Sequence, residues 1–239
     1  IASFVDSISY VLNYLLTFAR TTTPRYMVKE QYSARPQKRR WSRHGQWENF
    51  DNPYFGIVTE VDCTIAFDNA KKNNISFFAS YMHKSMKAVN EVEAFKYRIL
   101  EDEVVIYDVI HAGTTIGRVD GTFGFSFIHF SEDFETFNLE LQKEIEAVQK
   151  STGLRLNNED LKHNLIRHST LPWSSFTGLL HPTKNSASES VPKITFGKAY
   201  LKDNKRFLPV SVDANHALMD GYHMAQYLEK FQSFLNEEA

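Results

Sequence analysis

Apolar positions recur along this chain with two periods, and each change of period marks a new element. "YFGIVTEVDCTIAF" (54–67) is dense in β-branched and aromatic residues and predicts a strand. "ISFFASYMHKSMKAVNEV" (75–92) places Phe78, Met82, Met86, Val89 and Val92 at helical intervals. "EVVIYDV" (103–109) and "TFGFSFIHF" (122–130) again predict strands. "EDFETFNLELQKEIEAVQK" (132–150) carries an apolar helical stripe through Phe134, Phe137, Leu141, Ile145 and Val148. "SSFTGLL" (174–180), "KITFGKAY" (193–200) and "RFLPVSVDA" (206–214) predict three more strands. "GYHMAQYLEKFQSFL" (221–235) predicts a last helix, with Met224, Leu228, Phe231 and Leu235 on one face. Turns are expected at 117–121 and 202–205, and the polar stretch 181–193 between prolines reads as a loop. No repeat, low-complexity tract or linker interrupts the series. The expected fold is one α/β domain with a mixed, mostly antiparallel sheet flanked by helices.

The amino terminus has a pattern of its own. Ile1, Phe4, Val5, Ile8, Val11, Leu12, Leu15, Leu16 and Ala19 share one helical face, with polar residues mostly elsewhere. Polar residues break the run too often for a membrane span, and no basic region precedes it as in a secretory signal. The chain begins with Ile, and its first Met is Met27. Residues 1–26 are therefore expected to be an extension, with the domain over 27–239.

Composition narrows the class. Of the 239 residues, 42% are hydrophobic and 23% charged, as in an ordinary globular enzyme or binding domain. The formal net charge of −2 gives no global sign of nucleic-acid binding. Residues 1–50 hold a local excess of cations, chiefly in "ARPQKRRWSR" (34–43), which reads as a solvated arm or a phosphate-contacting patch. The single cysteine, Cys63, excludes an internal disulfide and fits a reducing, cytoplasmic setting.

The candidate chemistry centres on "NHALMDGYH" (215–223). An imidazole at His216 can remove a proton from a hydroxyl near neutrality, although an isolated histidine is more often structural. Asp220 directly precedes Gly221 and the last helix, where its carboxylate would cap free N–H groups. No metal-ligand spacing, P-loop or dinucleotide fingerprint occurs, so no metal or bound nucleotide is assigned. Cys63 lies in an apolar pattern and reads as a core thiol.

Three segments together resemble the chloramphenicol acetyltransferase family. "NHALMDGYH" is similar to its histidine motif, "STLPWSSFTG" (169–178) to its Ser-x-x-Pro-Trp-x-x-Phe segment, and "WSRHGQWENF" (41–50) to its Trp-x-Arg segment. The likeness spans about residues 27–236. It implies a coenzyme A-dependent acyltransferase that is a homotrimer, with sites between subunits and acetyl-CoA as co-substrate. No nucleic-acid or membrane partner is implied. A small hydroxylated acceptor would be acetylated in a ternary complex, which for chloramphenicol amounts to antibiotic resistance.

By the same resemblance His216 would be general base, Ser169 a donor to the tetrahedral oxyanion, and Thr195 the holder of a water near the intermediate. Asp220 would pair with Arg43 as structural support. Phe50, Phe123, Trp173 and Asn215 would stand in the substrate-binding regions, with Trp173 toward coenzyme A. Asn215 replaces the first histidine of the family's usual doublet, and Phe50 replaces a tyrosine found in many members. Both departures bear on acceptor choice and leave the proton-transfer residues untouched. A transferase of the same fold acting on another hydroxyl or a dihydrolipoyl-type thiol is the alternative, and a non-catalytic binding protein on this scaffold is another.

Overall fold

A computed structural model of the protein describes residues 32–33, 50, 52–100, 103–156, 162–182 and 189–237. The chain divides into units Ile1–Gln31 and Tyr32–Ala239, and all described residues belong to the second. The expected helix over 1–20, the expected boundary after residue 26 and the Trp-x-Arg segment with Arg43 lie outside the described residues.

In order, the described elements are β1 (Tyr32–Ser33), β2 (Tyr54–Asp62), α1 (Thr64–Lys72), α2 (Phe77–Glu91), a 3-10 turn (Glu93–Lys96), β3 (Tyr97–Leu100) and β4 (Glu103–Tyr107). Then follow β5 (His111–Gly117), β6 (Phe123–Ile128), α3 (Phe134–Gln149), β7 (Leu165–Thr170), β8 (Lys193–Phe196), β9 (Tyr200–Lys202), β10 (Lys205–Asn215) and α4 (Gly221–Leu235). The main sheet has the order β2-β10-β8-β7-β5-β6, with β9 paired to β10. β7 runs parallel to β5 and β8, and the other pairings in this sheet are antiparallel. A small sheet, β1-β4-β3, stands apart.

Local chemistry explains the element ends. The expected strand over 54–67 stops at Asp62, whose Oδ1 accepts hydrogen bonds from the Thr64 amide at 3.0 Å and the Thr64 hydroxyl at 2.6 Å. That Asx-type turn redirects the chain into α1, which buries Ala66 and Ala70 four residues apart. Ser76 and Asp133 cap α2 and α3 by accepting from the amides of Ala79 and Thr136. Asp203 and Asn204, with φ of 50° and 61°, make the tight turn between β9 and β10. The expected strand at 174–180 does not form. This stretch is a loop, tied to the body by the Lys198 amide donating to Ser174 O at 2.9 Å.

One face of the main sheet is apolar. Ile166, Ile194, Phe196, Leu208, Val210, Val212 and Ala214 pack there with Met82 and Met86 of α2 and Met224, Tyr227 and Phe231 of α4. The Tyr227 and Ser85 hydroxyls, 2.8 Å apart, satisfy each other inside this core. Arg98 is fully buried and links β3 to β7 by donating to the carbonyls of Phe95, Tyr97, His163 and Leu165. Burial lowers its guanidinium only to about 10, so it stays charged at neutral pH.

His168 sits on this apolar face, buried and stacked on Phe196 with ring centroids 6.0 Å apart. Burial drives its pKa from 6.5 down to about 3. Below about pH 6.5 the unfolded chain takes up a proton that the folded chain refuses. Stability should therefore fall with pH by up to roughly tenfold in the folding equilibrium per unit. Burial also lowers His83 and His163, which adds to the effect. Denaturant titrations between pH 6.5 and 5 should show this loss, and H168L should flatten it by one proton's worth. An unchanged slope in H168L would contradict the assignment.

Candidate active site

The second face of the main sheet is polar, and register fixes what it presents. Ser169 on β7 lies directly beside Thr195 on β8, which lies beside Ser211 on β10. Alternation puts Asp213 and Asn215 on the same face of β10, opposite Gly56 and Tyr54 of β2. Arg167 and Lys193 form the next row. At the far edge β6 contributes Phe123, Phe125 and Phe127.

Within the Ser-Thr-Ser row, Thr195 and Ser211 are buried and Ser169 is half-buried. The Thr195 hydroxyl lies 2.7 Å from His181 Nε2, and His181 Nδ1 lies 2.8 Å from Asp213 Oδ2. The same carboxylate oxygen accepts from the Ser211 hydroxyl at 3.1 Å. Neither His181 nor Asp213 was evident from the sequence, because His181 opens a segment that reads as plain loop and Asp213 reads as one polar letter in a strand. Spacing carries no signal that joins them, since they are thirty-two residues apart.

His216 follows β10 by one residue. Its amide continues the β2–β10 ladder by donating to Pro53 O at 2.9 Å, and its ring packs on Phe55 with centroids 4.3 Å apart. Asn215 secures this position. Its Oδ1 accepts from the Ala217 amide and its Nδ2 donates to Glu189 O, both at 2.9 Å, while its backbone oxygen receives the amides of Leu218 and Met219. Asn215, expected in the substrate-binding region, is buried in the single chain, and both ends of its amide bond to backbone around the turn.

Asp220 is the N-cap of α4, with Oδ1 accepting from the amides of Tyr222 and His223. His223 completes a capping box, its Nδ1 lying 3.1 Å from the Asp220 amide. Among the aromatic candidates, Trp173 is 80% exposed, Phe50 54% and Phe123 37%. All three are exposed in the single chain. Among the described residues no group of three or more His, Cys, Asp or Glu could hold a metal ion. Burial pushes the Cys63 thiol up to about 12, so it is no nucleophile at neutral pH.

His216 and the Ser169–Thr195 row do not meet within one chain. Asn215 lies four residues beyond Ser211, about 13 Å along β10 at the usual rise per residue. Ser169 is two strands away, roughly another 10 Å at right angles to that. No serine–histidine pair of side chains spans such a gap.

The site is thus framed by a mixed sheet with helices on its apolar face and by a histidine just beyond the end of its longest strand. The chloramphenicol acetyltransferase family model matches residues 35–232, and the chain belongs to that family. A chloramphenicol acetyltransferase of Bacillus pumilus is 27% identical over 176 residues, which are 73% of this chain and 80% of the relative. A solved structure described as chloramphenicol acetyltransferase matches with a TM-score of 0.80 and 26% identity, over 86% of this chain and 100% of that one. A probable dihydrolipoamide acetyltransferase from Listeria monocytogenes shares the fold at 11% identity, with a TM-score of 0.58 over 87% of this chain and 94% of its own. This protein is thus an acyltransferase, and acetyl-CoA is the co-substrate of its family.

The cap geometry gives a direct test. D220A removes the acceptor for two orphan amides and should cost about 1 kcal/mol of stability in urea unfolding, in line with other N-cap deletions. A loss within error of zero would show that the cap is redundant.

Proposed function

We propose that the protein transfers acetyl from acetyl-CoA to a hydroxyl of chloramphenicol or a closely related small molecule, at sites shared between chains of a homotrimer. The observation that carries this reading is the separation of His216 from Ser169 and Thr195. A base and an oxyanion donor that cannot meet in one chain can meet across two, and the polar sheet face and exposed aromatics offer surface for that contact. Among the described residues no helix is long and apolar enough to cross a membrane, and the lone cysteine fits the cytoplasm.

The chemistry follows from the groups. His216 takes the proton from the acceptor hydroxyl as its oxygen attacks the thioester carbonyl carbon. The carbonyl electrons move onto oxygen, where the Ser169 hydroxyl of the neighbouring chain donates to the developing charge. The tetrahedral carbon then expels the thiolate, which recovers the proton from the His216 imidazolium. Thr195 holds a water beside the oxyanion. Trp173 covers coenzyme A, and Phe50 and Phe123 face the acceptor. Asp220, besides capping α4, pairs with Arg43 and holds the turn that carries His216. A different hydroxylated acceptor is the second reading, favoured by Phe50, which lacks the hydroxyl that a tyrosine would offer there.

Thiol release from acetyl-CoA with chloramphenicol as acceptor tests the reading. Wild type should turn over as a particle of three times 27.7 kDa, and H216A should keep that mass while losing activity by roughly 10²-fold or more. Near-native turnover in H216A would contradict the role of His216. D220N keeps the cap but loses the charge, so it should lose both stability and activity if Asp220 pairs with Arg43; wild-type behaviour would remove the pairing.

A further inference from the structure

With a neutral imidazole at His181, the residue types give the cluster of Asp213, His181 and Thr195 a single direction. A carboxylate only accepts hydrogen bonds, so His181 Nδ1, 2.8 Å from Asp213 Oδ2, carries a proton. A neutral imidazole has a single N–H, which leaves Nε2 with a lone pair. Thr195 Oγ1, 2.7 Å from that nitrogen, must then be the donor. The only hydroxyl proton of Thr195 is committed to His181.

The cluster is built into the sheet. The side chains of His181 and Asp213 are only 14% and 18% exposed, and Thr195 is buried. Ser211 supplies a second donor to the same carboxylate oxygen. Gly56, paired with Asp213 across the ladder, leaves the space the carboxylate fills, since a Cβ there would come within 2.3 Å of Asp213 Oδ1. Two strands, β8 and β10, thus hold the imidazole that the 171–182 loop brings to them, and β2 leaves room for its carboxylate partner.

We propose that Asp213 and His181 are positioning residues that fix the Thr195 hydroxyl as an acceptor toward the reaction. This rests on the proposed function above, in which Thr195 holds a water. With its own proton turned toward His181, Thr195 can only accept from that water. The water then gives one hydrogen to Thr195 and its other to the oxyanion. Every donation in the chain from Thr195 to Asp213 points toward the carboxylate, which orients the water without any side chain moving during the reaction.

The tautomer is measurable without any activity. Long-range proton–nitrogen correlation on labelled protein at pH 8, with the His181 signals assigned by their loss in H181L, should show Nδ1 protonated and Nε2 bare. In D213N the side-chain amide can donate to Nδ1, and the tautomer should reverse. A wild-type His181 with its proton on Nε2, or on both nitrogens, overturns the proposal. In thiol-release kinetics D213N and H181L should lower kcat by roughly 10-fold or more, with the KM for acetyl-CoA within about twofold and thermal unfolding close to wild type. T195V, which removes the hydroxyl, should fall with D213N. Unchanged kcat in folded D213N and H181L overturns the positioning role while the function stands. Absence of acetyl transfer by wild type sinks the function, and the tautomer still decides the hydrogen-bond chain.

Discussion

The eleven-residue strand β10 sets the terms for the rest of the molecule. It pairs with β2 along nine residues and also with β8 and β9, so its register fixes three neighbours at once. Its two-residue alternation then divides the sheet. Leu208, Val210, Val212 and Ala214 go to the helix-covered core, and Ser211, Asp213 and Asn215 go to the polar face. A slip of one residue would exchange the two sets, burying a carboxylate beneath the helices and exposing four apolar side chains. Burial of the apolar set therefore holds the polar face, and His216 beyond it, at defined positions. Pro209 tests this arrangement locally. It lacks an amide in the middle of the strand, yet it lies one residue past the end of β8, where only its carbonyl is needed, and that carbonyl accepts from Gly197 at 2.9 Å.

The site inherits its precision from backbone. His216 is held by a ladder bond to Pro53 and by a turn knotted through Asn215, and the Asp220 cap that opens α4 follows four residues later. The Ser169–Thr195 row is held as firmly, in adjacent strands of the same sheet, with Thr195 braced by His181 and Asp213. Under the proposed function these two half-sites, held rigidly at a fixed separation, work together through a second chain turned so that one half faces the other.

The long periodic segments were legible in the sequence because their burial is one-sided. The helix read over 221–235 has those same bounds in the structure, and those read over 75–92 and 132–150 differ by at most two residues at either end. β5 and β7 were not legible. They lie inside the sheet next to parallel partners, and "HAGTTIG" and "LIRHST" mix glycine, histidine and arginine into strands whose two faces meet different surroundings. The strand read across 54–67 ran too far because Asp62 and Thr64 end it through side-chain bonds that hydropathy does not register. Of the site, His216 and the Asp220 cap could be read from one motif, and Ser169 and Thr195 entered through resemblance. The bracing of Thr195 by His181 and Asp213 could not be read, because it depends on a loop folding back over the sheet.

The central claim is that His216 of one chain works with Ser169 of another. It is tested most directly by unfolding equal amounts of H216A and S169A together and refolding them as mixed oligomers. Each parent has no complete site. If sites form between chains, random mixing should restore about a quarter of wild-type thiol release, since a site needs an intact histidine from one chain and an intact serine from its neighbour. If each site forms within a chain, the mixture should be no more active than its parents, and that result would contradict the account.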